Sequence, residues 1–91
     1  MRFEWDEKKN AVNKRKHGVS FEEARTVFYD VNGIMIPDPD HSESEDRFVL
    51  LGRSEILRIL VVCHCYREND EVIRIISARK ANSIERSQYG K

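Results

Sequence analysis

The first third of the chain has the pattern of two consecutive helices. Residues 7–17 contain no Pro or Gly, Asp6 before them is a good N-cap, and Gly18 after them suits a helix C-terminus. Ser20 and Glu23 then have the spacing of a capping box. Apolar residues at helical intervals predict one apolar face for this second helix: Phe21, Ala24, Val27 and Phe28.

The rest of the chain has the pattern of short strands. Apolar and β-branched runs at residues 48–53, 56–66 and 72–77 are separated by short polar links. This pattern predicts three consecutive antiparallel strands joined by hairpins. Two shorter strands and a short terminal helix complete the prediction, at residues 3–5, 34–36 and 78–89 respectively.

Runs of strands beside runs of helices, without βαβ alternation, are typical of the α+β class. We expect one domain over residues 1–91, with helices packed on one face of an antiparallel sheet and the other face open for binding. No apolar run is long enough to span a bilayer, and the amino-terminal residues lack the apolar stretch of a signal peptide. We therefore expect a cytoplasmic protein with no membrane partner.

Charge is balanced over the whole chain but distributed unevenly. There are 16 basic and 16 acidic residues, and one stretch without Lys or Arg contains Asp38, Asp40, Glu43, Glu45 and Asp46. The remaining residues therefore have a net positive charge. Because nucleic acids respond to local clusters of Lys and Arg, polyanion binding is compatible with the neutral total.

Two groups of basic side chains have the chemistry to bind phosphate. In the first predicted helix, Lys9, Asn13 and His17 recur every four residues and share one face. Arginine offers paired donors that match phosphate oxygens. The carboxyl-terminal group consists of Arg67, Arg74, Arg79, Lys80 and Arg86. Ordinary surface charges are the alternative reading of both groups, and sequence spacing leaves it open.

Metal and cofactor sites have weak support in the sequence. Cys63 and Cys65 flank His64, but strand alternation sends the histidine to the opposite face. Motifs for phosphate loops, dinucleotides, serine hydrolases, zinc proteases and CxxC redox sites are absent. We therefore expect no cofactor and no metal. A weaker alternative is a divalent ion held by His41, Glu43 and Glu45.

Five short motifs occur in order along nearly the whole chain. They are F-E-W-D at residues 3–6, K-H-G-V-S-F at 16–21, D-P-D-H-S-E at 38–43, R-F-V-L-L-G-R-S at 47–54 and I-R-I-I-S-A-R-K-A at 73–81. With Lys9 and Asn13 they resemble the BrnT toxin family. The resemblance implies a RelE-like fold and a type II toxin that cuts cellular RNA and inhibits translation and growth. It also implies a BrnA-like antitoxin with a ribbon-helix-helix domain, which would make any contact with DNA.

The resemblance further implies which residues act on RNA. Catalytic residues carry over onto Lys9, Arg67 and Arg79. We expect Arg67 and Arg79 to clamp the scissile phosphate, and Lys9 to stabilise charge or donate a proton. Cleavage without metal requires alignment of the reacting groups, stabilisation of charge on the phosphate and proton transfer. Arg53 and Arg74 also match family positions. Together with His17 and Lys80, which are singled out by their chemistry, they are expected to contact RNA.

The sequence does not determine which residue is the general base, and it leaves two alternative functions. His17 is a candidate because histidine titrates near neutral pH, whereas Glu85 and Tyr89 become candidates only if the terminal helix folds over the cleft. One alternative function is a non-catalytic module that binds RNA or protein with the same basic face. The other is a metal-dependent nuclease built on the acidic stretch. We expect the antitoxin to cover the basic cleft or the open sheet face.

Overall fold

The chain folds as a five-stranded sheet with three helices in residues 1–38 and 46–90, the parts described by a computed structural model. The strands are β1 (Arg2–Glu4), β2 (Ile34–Pro37), β3 (Arg47–Arg53), β4 (Ile59–Arg67) and β5 (Val72–Lys80). The helices are α1 (Glu7–His17), α2 (Phe21–Thr26) and α3 (Ser83–Gln88), and a 3-10 turn, Val27–Tyr29, follows α2. The α+β class and the helix predicted at residues 7–17 are confirmed.

The sheet has the strand order β1-β5-β4-β3-β2. The pairs β2–β3, β3–β4 and β4–β5 are antiparallel, which confirms the predicted three-strand meander. β1 instead pairs in parallel with β5. No hairpin joins these two strands, because nearly the whole chain lies between them, so their relative direction is not set by a turn.

Two strand boundaries differ from the sequence prediction by three residues, and the other strand ends differ by at most one. β4 begins at Ile59 rather than at residue 56, since Leu57 has φ 67° in a turn closed by a 2.8 Å hydrogen bond from the amide of Ser54 to the carbonyl of Arg58. β5 extends to Lys80, which pairs with Leu60 on β4. Residues 78–80, predicted as the start of the terminal helix, therefore belong to strand β5.

The sheet has a core on each face. The larger core lies between α2 and the sheet, and the smaller one lies on the opposite face, where Tyr89 packs after α3. The prediction that the helices share one face therefore fails for α3. The larger core contains Phe21, Val27, Leu50, Leu60, Val62 and Ile75, and the smaller one Leu51, Val61 and Ala81.

The capping box predicted for α2 forms only in part. The Ser20 hydroxyl accepts a 3.0 Å hydrogen bond from the amide of Glu23, but the Glu23 carboxylate does not return to the cap. It accepts hydrogen bonds from Arg58 Nε at 2.9 Å and Ser54 Oγ at 2.7 Å, and Arg58 holds its pKa below the usual range. Charge-assisted bonds are stronger than the cap contact they replace.

Helix α1 is held to the sheet by a buried amide instead of an apolar face. Beyond the end of β1, Asn13 acts as a strand partner for Ala78 of β5. Its Nδ2 donates to the carbonyl of Ala78 at 2.8 Å and its Oδ1 accepts from the amide of Ala78 at 3.1 Å. These bonds satisfy backbone groups that a sheet edge would otherwise leave unpaired.

Candidate active site

A pocket of about 280 Å³ lies on the sheet face opposite α2, where the carboxyl end of α1 meets β5. Side chains of three adjacent strands contribute to it, since Val49, Cys63 and Ser77 are paired across β3, β4 and β5 and point to the same face. Its polar and charged lining consists of His17, Asp38, Arg47, Cys63, Ser77 and Arg79. We call this the arginine pocket.

Arg79 is held in the arginine pocket by a two-pronged ion pair. Its Nη1 and Nη2 donate to the two carboxylate oxygens of Glu85, each at 2.8 Å, and Nη1 also donates to the carbonyl of Lys80 at 3.3 Å. No described residue accepts from its Nε. The Nε–Nη2 edge therefore keeps two parallel donors, which is the geometry that matches phosphate oxygens.

Glu85 both binds Arg79 and helps to cap the start of α3. Its Oε1 accepts a 2.9 Å hydrogen bond from the amide of Asn82, and its own amide donates to Asn82 Oδ1 at 2.8 Å. The hydrogen bonds from Arg79 hold the pKa of Glu85 below its usual range. A carboxylate stabilised as an anion is a weak proton acceptor, so this geometry does not favour Glu85 as the base.

His17 and Lys9 reach the same region from α1. His17 lies in the last turn of the helix and lines the arginine pocket as well as an adjoining groove of about 320 Å³. That groove is also lined by Lys9 and Lys16 and shares Ser77 with the pocket. Arg79 and Lys9 therefore lie in two adjoining depressions, and His17 lines both of them.

Two charged residues in the pocket received no role in the sequence analysis. Arg47 begins β3, and its Nε is buried without a hydrogen-bond partner among the described residues. Asp38 lies beside it, with its amide donating to the carbonyl of Arg47 at 2.8 Å. Both belong to quoted family motifs, at residues 38–43 and 47–54, so position in a motif was the only available signal.

Arg67 and Arg74 lie at the far end of the same sheet face. Arg74 Nη1 is 2.8 Å from Glu4 Oε2, and Arg67 Nε is 3.7 Å from the same oxygen. Arg79 pairs with Val61 on β4, six residues from Arg67, which corresponds to about 20 Å along a strand. The structure therefore does not bring Arg67 and Arg79 into the shared clamp expected from the sequence.

Three further expected site residues lie outside the arginine pocket. The Arg53 guanidinium lies over the ring of Tyr89, 5.5 Å from its centroid. The hydroxyl of Tyr89 donates to Asp30 Oδ2 at 2.5 Å, and this bond raises the pKa of Tyr89. Lys80 pairs with Leu60, whose side chain belongs to the larger core, so Lys80 projects from the face opposite the pocket.

The residues considered for metal binding do not assemble in the described part of the chain. His64 is fully buried beside Phe28 and Phe48, and burial lowers its pKa, while Cys63 lines the pocket on the other face. No group of three or more His, Cys, Asp or Glu suited to a metal occurs within residues 1–38 and 46–90. The acidic set His41, Glu43 and Glu45 lies outside those residues.

Comparison with known proteins decides the family. A family model described as "Ribonuclease toxin, BrnT, of type II toxin-antitoxin system" matches residues 5–85. The chain belongs to the BrnT family. Among solved structures, the ribonuclease toxin BrnT of Brucella abortus matches with a TM-score of 0.71 and 26% identity, over 91% of this chain and 99% of that chain. No curated protein matches.

BrnT membership confirms the resemblance seen in the motifs and the toxin function that it implied. The chain is a ribonuclease toxin of a type II toxin–antitoxin system, and an antitoxin is its partner. None of the described helices is long and apolar enough to cross a membrane. The arginine pocket and its adjoining groove bring basic side chains of α1 close to Arg47 and Arg79 of the sheet, and the pocket is therefore the candidate active site.

Proposed function

We propose that this BrnT toxin is a metal-independent endoribonuclease that cuts cytoplasmic RNA in the arginine pocket. One observation carries the proposal: the pocket combines an imidazole, His17, with a guanidinium, Arg79, whose Nε–Nη2 edge has no acceptor among the described residues. RNA cleavage without metal requires proton transfer and stabilisation of the negative charge on the phosphate.

The proposed reaction uses the 2′-hydroxyl of the RNA as its nucleophile. The 2′-oxygen bonds to phosphorus as its proton passes to a base, and the bond from phosphorus to the 5′-oxygen breaks as that oxygen gains a proton. The products are a 2′,3′-cyclic phosphate and a 5′-hydroxyl. Arg79 would bind two phosphate oxygens and stabilise the negative charge that develops on them.

His17 is the proposed general base of this site. It lines the pocket and is partly exposed, so a bound 2′-hydroxyl has access to it. The other two candidates are already engaged, since Glu85 binds Arg79 and Tyr89 donates to Asp30. Lys9, in the adjoining groove, would contact the RNA backbone or supply charge to the leaving oxygen.

The other basic residues are proposed to contact RNA away from the scissile phosphate. Arg67 and Arg74, joined to Glu4, are too far from Arg79 to hold the same group. Arg53, stacked on Tyr89, is available only to RNA that extends past α3. Lys80 projects from the opposite face, so its contribution would be to the general field around the protein.

We propose a BrnA-like antitoxin with a ribbon-helix-helix domain as the partner, with DNA contacted only through it. A type II antitoxin neutralises its toxin by binding, and the arginine pocket is the surface whose coverage would stop cleavage. Binding of the partner would also raise the melting temperature of a chain this small. Equimolar antitoxin that left both cleavage and melting temperature unchanged would contradict this proposal.

The decisive experiment is cleavage of naked single-stranded RNA by purified protein in excess chelator. Wild type should cut, with 2′,3′-cyclic phosphate and 5′-hydroxyl ends, and Arg79→Ala should not. Loss of cleavage with chelator, restored by a divalent ion, would establish a metal-dependent nuclease. RNA binding by wild type without cleavage, with or without metal, would establish the non-catalytic module.

A further inference from the structure

Arg47 lies across the arginine pocket from Arg79. It begins β3 and pairs with Cys65 on β4, whereas Arg79 on β5 pairs with Val61 of the same strand. By strand alternation both arginine side chains project to the face that carries the pocket, and both line it. The central strand β4 lies between them, so the two guanidinium groups flank the pocket from opposite sides.

The Nε–H of Arg47 is a buried donor without an acceptor among the described residues. Burying a donor of a charged group without a partner costs more than burying a neutral one, and such groups are rare in folded proteins. Arginine cannot escape this cost by losing its proton. Asp38 lies next to Arg47, with its amide donating to the Arg47 carbonyl at 2.8 Å, and the Arg47 Nε–H still has no acceptor among the described residues.

We infer that Arg47 binds a phosphate of the RNA substrate, on the side of the pocket opposite Arg79. Arg47 lines the pocket and is partly exposed, so a phosphate there can accept hydrogen bonds from its guanidinium, whose planar donors match two phosphate oxygens. This inference rests on the proposed function, and it assigns to the reaction a second arginine that the family resemblance did not identify. Two arginines on opposite walls would hold the RNA backbone across β4.

The test combines removal of the arginine with removal of one phosphate charge at a time. The probe is a short single-stranded RNA that wild type binds, made uncleavable by 2′-O-methyl groups, with a neutral methylphosphonate placed at each position in turn. Affinity is measured for wild type, Arg47→Ala and Arg25→Ala. Arg25 is the matched control, because it is exposed and lies over Phe3 on the α2 side of the sheet.

Wild type should lose about tenfold in affinity when the contacted phosphate is neutralised. Arg47→Ala should bind the natural backbone about tenfold more weakly and be insensitive to neutralisation at that one position. Arg25→Ala should respond as wild type does. An Arg47→Ala protein that remains as sensitive as wild type at every position would overturn the inference, and would indicate that the acceptor of Arg47 belongs to the protein.

A fold control and a cleavage control keep the result interpretable. Should Arg47→Ala melt far below wild type, Arg47→Lys replaces it, and a retained charge with lost bidentate geometry should still weaken the response at that position. Because the probe cannot be cut, the outcome does not depend on catalysis. Phosphate dependence without cleavage of natural RNA by wild type would overturn the proposed function and leave the Arg47 contact standing.

Discussion

Two groups of arginines lie on the same face of the sheet, and they differ in what their carboxylate partner leaves available. At one end Glu4 is shared by Arg67 and Arg74. At the other end Arg79 lines a pocket, and Glu85 binds its two terminal nitrogens while its Nε has no acceptor among the described residues. An acidic partner can therefore neutralise an arginine or orient it.

This contrast shows why residue type is an incomplete guide to a phosphate site. All three arginines belong to the basic group recognised in the sequence, and an ion pair with glutamate occurs at both ends. The neighbours of Arg79 are distinctive, because an imidazole, His17, and a second guanidinium, Arg47, line the same pocket.

The largest expected effect is on cleavage when each end loses an arginine. Arg79→Ala should lower the cleavage rate by about 10³-fold, because it removes stabilisation of charge on the reacting phosphate. Arg67→Ala should change the rate by less than about threefold, as expected for an exposed ion pair. The measurement is single-turnover cleavage of one RNA by both variants. Equal losses would restore Arg67 to the catalytic set.

The second effect concerns the attachment of α1 to strand β5 at Ala78, next to Arg79. Asn13→Ala leaves the amide and carbonyl of Ala78 without their partner and should lower the free energy of unfolding by about 2–3 kcal/mol. Chemical denaturation measures the loss. Lys14→Ala, an exposed change in the same helix, should stay within about 0.5 kcal/mol of wild type. Similar values for both variants would contradict the anchoring role.

The third effect tests whether Glu85 orients Arg79. Glu85→Gln keeps the size of the side chain but removes its charge, and should lower kcat by about tenfold with a smaller change in KM, since misplaced groups mainly slow the reaction. Asn82→Ala is the matched control, because it removes the cap of α3 and leaves the Arg79 pair in place. Equal losses of kcat in both variants would assign the effect to helix α3.

The same pair should give a defined pH dependence of stability. Arg79 holds the pKa of Glu85 below its usual range, so the pair stabilises the fold at and above the usual pKa of glutamate. That stabilisation is lost as the pH falls through the lowered pKa of the folded state. The difference in unfolding free energy between wild type and Glu85→Gln should therefore shrink toward acid pH. A difference that stayed constant would show that charge is not its cause.

The smallest effect is expected at the Glu4 end. Glu4→Gln removes the shared carboxylate of Arg67 and Arg74 and should cost less than about 1 kcal/mol of stability, because the contacts are partly exposed. RNA binding at low salt should strengthen by about two- to threefold, since two cations lose their counter-charge. Cleavage at saturating RNA should not change. A marked change in kcat would bring this end into the active site.

Much of the local structure was predictable because it depends on neighbouring residues. Asp6 caps the start of α1 and Gly18 ends it, as expected. Asp6 Oδ1 accepts a hydrogen bond from the amide of Lys8 at 2.8 Å, and Gly18 has φ 71°. The prediction was wrong where distant groups compete. Glu23 binds Arg58, 35 residues away, instead of returning to the cap of α2, and the carboxyl end of β5 pairs with β4 where a helix was expected.

The sequence by itself determined the α+β class, most element boundaries and, through ordered motifs, membership in the BrnT family. It also predicted Lys9, His17 and Arg79 as site residues, partly from the chemistry of their side chains and partly from the family resemblance. Only the tertiary structure decided which basic groups meet, separating Arg67 from Arg79 and adding Arg47 to the same pocket. The physical reason is that strand register and the bulge near Cys63 set distances between residues far apart in the chain.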